Sequence, residues 1–110
     1  MAYDEELAAR IRALVAGEDG VREQRMFGGL AFLVNGNLAV SASGQGGLML
    51  RVDPSESNRL VEESPARLVV MRGREMPGWM RVDSESVRED AELAAWVERG
   101  VAFARSLPPK

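Results

Sequence analysis

Neither cysteine nor histidine occurs among the 110 residues of this chain. Without cysteine there is no disulfide framework and no thiol chemistry, and without either residue the common zinc sites are excluded. The side chain most often used as a general base near neutral pH is missing too. Aromatic residues make up only 5% of the chain, which leaves little to stack on nucleic-acid bases. No apolar run approaches the ~20 residues of a membrane span. The opening Met1-Ala2-Tyr3-Asp4-Glu5-Glu6 lacks the basic and apolar segments of a signal peptide. The expectation is a cytoplasmic protein with no membrane segment, no metal and no cofactor. No linker, repeat or low-complexity segment divides residues 1–110, so one domain is expected, ordered over about 4–107.

What is present suffices for a core. Hydrophobic residues make up 45% of the chain, and a domain of this size buries roughly two-thirds of its unfolded surface. The formal net charge of -3 argues mildly against direct DNA binding, because compact DNA-binding domains are usually basic.

The periodicity predicts the elements. Asp4 is placed to cap a helix with Glu5 and Glu6 in its first turn, and Leu7, Ile11, Leu14 and Val15 recur at helical spacing up to Gly17. From Arg22 onward the period is two. Asn35-Gly36 is a hairpin turn by composition, because a type I′ turn needs positive φ at both central positions. Gly44 to Gly47 makes a looser one. Asp53-Pro54-Ser55 opens a short helix that Pro65 ends. "RLVVMR" (67–72) and Gly78 to Asp83 read as strands. Ser86 to Glu89 has capping-box spacing, with Asp90 as a second candidate cap. The helix that follows buries Leu93, Trp96, Val97, Gly100, Ala104 and Leu107, and Pro108-Pro109-Lys110 is expected to fray. The fold class is α+β: a two-layer α/β arrangement, order α-β-β-β-α-β-β-α, with helices on one face of an antiparallel five-stranded sheet.

The strand alternation sends Leu30, Phe32, Val34, Leu38, Val40, Leu48, Leu50 and Val52 toward the helices. Leu33, Met49, Val69, Met71, Met80 and Val82 are left for the other face. A sheet facing water should be more polar than that, so these residues are expected to form an interface with a second copy or another protein.

Candidate chemistry is sparse. The glycines match neither a phosphate-binding loop nor a dinucleotide fingerprint. The carboxylates sit at helix starts and on polar faces, with no spacing that marks a catalytic pair, so no catalytic or cofactor-binding residue is assigned. Arg22, Arg25, Arg72 and Arg74 are a candidate basic patch, although Glu23 and Glu75 interrupt it in sequence. Trp96 has core spacing, whereas Trp79 follows a Pro-Gly turn and is placed to pack in the core or line a groove. Gly28-Gly29, beside a strand, reads as a close backbone approach, with Trp79 or Trp96 as the expected neighbour.

The stretch "RMFGGLAFLVNGNLAV" resembles the opening strand and hairpin of the TfoX N-terminal domain family. Arg25, Met26, Phe27, Gly28 and Gly29 stand where that family has its Met-Phe-Gly-Gly-like motif, followed by the turn at Asn35-Gly36. "LMLRVD" and "DAELAAWVERGVAFARSL" also look like the family's later elements. The resemblance implies a secretion-chaperone-like fold and an association with regulation of competence for DNA uptake. Better-known members carry a second, helical domain, so a stand-alone N-domain is expected here. The family offers no catalytic residues to carry over. The function expected is a non-enzymatic protein-interaction or regulatory module, homodimeric or bound to a protein partner. A nucleic-acid-associated regulator and a small-molecule-binding domain near Trp79 are the alternatives.

Overall fold

The computed structural model describes residues 3–26 and 28–110; Phe27 of the family motif lies outside them. Helix α1 spans Glu5–Leu14, and the Asp4 carboxylate accepts from the backbone N–H groups of Glu6 (3.0 Å) and Leu7 (3.1 Å). Strands β1 (Val21–Met26), β2 (Gly29–Val34), β3 (Asn37–Ala42) and β4 (Leu48–Arg51) follow. Helix α2 (Pro54–Glu63), β5 (Arg67–Met71), β6 (Arg74–Val82), a 3₁₀ turn (Ser84–Val87) and α3 (Asp90–Ser106) complete the chain. All pairings are antiparallel, in the spatial order β1-β2-β3-β4-β6-β5.

The α+β class and the element order are as expected, with one correction: the sheet has six strands rather than five. The extra one is β1, whose Arg22-Glu23-Gln24-Arg25 carries no apolar alternation. It pairs with β2 from Val21 opposite Val34 to Met26 opposite Gly29. A second correction concerns the start of α3. Its N-cap is Glu89, which makes no side-chain capping bond, and Ser86 belongs to the 3₁₀ turn rather than to a capping box.

All three helices pack on one side of the sheet. There Ile11, Phe32, Val40, Leu48, Leu50, Met80, Val82 and Leu93 are essentially without solvent exposure, and Trp96 joins the same core. Helix α3 crosses β3 at Gly100. A Cβ at that position would stand 2.5 Å from the Ala39 carbonyl oxygen and 2.8 Å from Val40 Cγ1, so the helix backbone rests directly on the strand.

The tail does not fray. The side-chain amide of Asn37, itself buried, donates to the Pro108 carbonyl (3.0 Å), and the Lys110 N–H donates to the Asn35 carbonyl (2.8 Å). Residues 108–110 thus strap the β2–β3 hairpin, whose turn at Asn35 (φ 52°) and Gly36 (φ 85°) has the expected left-handed conformation. Deleting residues 108–110 removes both bonds, each with a net value of about 1 kcal/mol. A loss of about 1–2 kcal/mol in urea denaturation is the expected result; an unchanged midpoint would show that the strap carries no stability.

Helix α1 is tied to β1 by one ion pair. Arg12 donates to Glu23 through Nε (2.5 Å) and Nη2 (2.9 Å), and that hydrogen-bonded guanidinium holds the Glu23 carboxyl below its ordinary value of 4.5. The Asp53 carboxyl is held below 3.8 by the Ser55 N–H and hydroxyl at the start of α2. Both carboxyls have lowered folded-state values. Their stabilisation is therefore complete above the ordinary values and lost as pH falls through the folded ones. The Arg12–Glu23 pair is substantially exposed, so solvent screening keeps its share small. Glu23→Gln is expected to lower Tm slightly at pH 7 and to converge with the parent below the carboxylate range; parallel pH profiles would refute this.

Candidate functional site

The face of the sheet away from the helices carries the second apolar cluster: Ala31, Leu33, Leu38, Met49 and Val69, with Met26, Met71 and Trp79 packed against it. Three of the residues expected on this face are at its centre, and Met71 lies at its margin. Met80 and Val82 are not there. Met80 lies opposite Leu50 and Val82 opposite Leu48, so both point into the helix-side core, and it is Trp79 and Arg81 that face outward. Leu38 is displaced in the opposite sense. Phe32 pairs with Val40 but Leu33 pairs with Leu38, leaving Ala39 as the extra residue of a bulge. The bulge turns Leu38 over to the second face.

This face is not the exposed patch that its composition suggests. Leu33, Met49 and Val69 are 6%, 5% and 3% exposed within a single chain. The two edges of the sheet curl toward each other, so that Met26 of β1 and Met71 of β5 line one cavity of about 70 Å³ with Ser41, Ser43, Met49 and Arg81. Long side chains help cover the floor. The Arg51 guanidinium lies 5.3 Å from the Trp79 ring centre and 5.6 Å from that of Phe103, an arrangement of cation–π stacking. Arg81 Nη1 donates to the Ser43 hydroxyl (3.0 Å).

The charges are sorted by face. Arg22 lies opposite Leu33, Arg51 opposite Trp79, Arg81 opposite Met49 and Arg74 opposite Met71, which puts all four on the cluster side. The strand glutamates point the other way: Glu23 is opposite Phe32 and bonded to Arg12, and Glu75 is opposite Val70. At the margin, Asp83 is held by Arg67. Among the described residues, Arg22, Arg25, Arg51, Arg72, Arg74 and Arg81 form no ion pair, whereas the helix arginines do. A chain of net negative charge thus presents one cationic, methionine-lined surface. Of the expected basic patch, Arg22 and Arg74 belong to this face. Arg25 points to the other side of β1, and Arg72 sits in the β5–β6 turn. Arg51 and Arg81 were not singled out from the sequence, although the alternation in "LMLR" and "WMRV" contains them.

Arg72 has φ 51°, a left-handed conformation that glycine and asparagine adopt at lower cost. Arg72→Gly is therefore expected to raise stability, by about 0.5–1 kcal/mol. A destabilised variant would mean that the arginine side chain makes a compensating contact.

Met26 and the Gly28-Gly29 pair of the family motif lie at the cavity's rim. Gly28 (φ 77°) closes the β1–β2 loop. A Cβ on Gly29 would run into the carbonyl oxygen of Ala42 and stand 2.9 Å from the Gly44 nitrogen. The neighbour of the glycine pair is the end of β3, not Trp79 or Trp96. A model of the TfoX N-terminal domain family matches residues 13–104. The chain belongs to that family. The match runs from α1 to the last turn of α3, so the six-stranded sheet and the arginine face lie within the family domain. No curated protein matches the chain. Among the described residues, no helix is long and apolar enough to cross a membrane, and no group of three carboxylates is placed to hold a metal ion.

Proposed function

We propose that this TfoX N-terminal domain is a non-enzymatic interaction module that engages a protein partner through the helix-free face of its sheet. The observation that carries the reading is the segregation of charge: four unpaired arginines share that face with methionines and Trp79, and the strand carboxylates point away. Methionine side chains adapt to varied partners, and arginine and tryptophan are enriched where binding energy concentrates. The enclosed space between Met26, Met49 and Met71, about 70 Å³, holds about two waters and falls below the size of metabolite sites. That supports binding at a surface rather than turnover in a pocket. The homodimer expectation rested on an exposed apolar patch, and the burial of Leu33, Met49 and Val69 within one chain removes that support.

Affinity capture from native cytoplasm tests the module. The same proteins should be recovered by the parent and by Arg99→Glu on α3, and lost with Arg51→Glu/Arg81→Glu. Equal recovery by all three would place the binding surface elsewhere, and recovery of nothing specific would remove the reading.

A further inference from the structure

We propose that the free edge of β5 is a strand-docking site for an extended segment of a partner protein in which apolar and acidic residues alternate. The proposal rests on the interaction-module reading and names its partner's chemistry. β5 stands at the end of the sheet and pairs only with β6, so one row of its backbone N–H and C=O groups is open. Natural sheets protect such edges with charge, and β1 follows that rule with Arg22, Glu23, Gln24 and Arg25, of which Glu23 is fixed by Arg12. β5 does not. Beyond Arg67 at its start, Leu68-Val69-Val70-Met71 carries no charge, and Val70, 59% exposed, is the most exposed large hydrophobic residue described. A groove of about 920 Å³ adjoins this edge, lined by Leu68 and Val70 of β5, Val61 of α2, Arg67 and Arg81, and the carboxylates Glu75, Asp83 and Glu85. Val70 and Arg81 line the inner cavity as well, so groove and cavity adjoin.

A strand added to β5 sends alternate side chains to opposite faces. On the helix side they meet Val70 and Val61, both exposed, and apolar residues fit there. On the other side they meet Arg67, Val69 and Met71 of β5 itself, with Arg74 and Arg81 of β6 behind them. Of the three carboxylates that line the groove, Asp83 is taken up by Arg67, Glu85 lies 3.9 Å from Arg88 and Glu75 points to the helix side, so among the described residues Arg74 and Arg81 have no ion-pair partner. Acidic residues complement that side. A second copy of this chain fits poorly, because antiparallel pairing of β5 with itself brings two such arginine sets together. A nucleic acid gains nothing from the open backbone edge or from Val70 and Val61.

The probe is a labelled nine-residue peptide of alternating valine and glutamate, with capped ends, titrated by fluorescence anisotropy at low and moderate salt. Saturable binding that weakens with salt is expected. It should fall about tenfold or more when alternate peptide amides are N-methylated, when lysine replaces glutamate, and in Val70→Lys or Arg74→Gln/Arg81→Gln. Gln24→Lys on the opposite edge should bind as the parent does, and unchanged thermal melts show that the variants fold. The proposal is overturned by no binding up to millimolar peptide, or by equal binding of the lysine or N-methylated peptide. It is also overturned if Val70→Lys dissociates a homodimer of the parent, or if the same arginines bind single-stranded DNA while the peptide does not. If Val70→Lys retains partners that Arg51→Glu/Arg81→Glu loses, the edge is wrong and the module reading stands.

Discussion

Replacing Gly29 with valine is expected to lower the free energy of unfolding by about 3 kcal/mol or more, at the upper end of overpacking costs. The reason is the nature of the obstacle. A Cβ here meets the backbone of β3, at the Ala42 carbonyl and the Gly44 nitrogen, and a backbone in a paired sheet cannot swing aside as a side chain can. Ala42 lies opposite Leu30 and Leu48, so moving it disturbs three strands at once. Gly28→Ala provides the contrast. Space is open there, with the nearest atom 3.9 Å away, but φ is 77°. Its cost is conformational and about 1 kcal/mol. Urea denaturation followed by tryptophan fluorescence separates the two. Equal costs at both positions would mean that β2 and β3 are looser at this point than the geometry states.

That comparison also resolves what the Met-Phe-Gly-Gly stretch does. From sequence it read as a close approach near a strand, and the close approach is real, but the neighbour is the β3 backbone rather than a tryptophan. The local signals were legible wherever the physics is local: the Asp4 and Asp53 caps, the Asn35-Gly36 turn, and Trp96 on the apolar stripe of α3. The errors lie where pairing decides. Trp79, Met80 and Val82 include apolar residues of both parities, so only the opposition of Met80 to Leu50 tells which face is the core. Leu38 shares parity with Val40 and is turned over by a bulge at Ala39 that leaves no compositional mark. β1 was not counted as a strand, although the period of two was placed from Arg22 onward, because an edge that needs protection is built from charge. The arginine face was missed for a related reason. Grouping Arg22 with Arg25, and Arg72 with Arg74, makes Glu23 and Glu75 look like interruptions. In the sheet, those glutamates point to the opposite side, and the four arginines that share a face come from three different strands.

Gly100→Leu is the companion test in the second layer, with an expected loss of about 3 kcal/mol. In a helix interior, glycine costs up to about 1 kcal/mol relative to alanine, so Gly100→Ala should stabilise if propensity alone mattered. It is expected instead to destabilise by about 1 kcal/mol, because the added Cβ would stand 2.5 Å from the Ala39 carbonyl oxygen. A stabilised alanine variant would show that α3 can lift off β3 at little cost. The contact point is the bulge itself. Ala39 and Val40 both face α3, and it is their shared orientation that places Leu38 on the far side of the sheet. Pushing Ala39 away from α3 therefore acts on both layers: it opens the helix-side core and displaces Leu38 within the cluster against which Trp79 packs. Gly100→Leu should accordingly change the near-ultraviolet circular dichroism of Trp79 as well as that of Trp96, read in Trp96→Phe and Trp79→Phe backgrounds. A change confined to Trp96 would mean that the bulge insulates the arginine face from the helical layer.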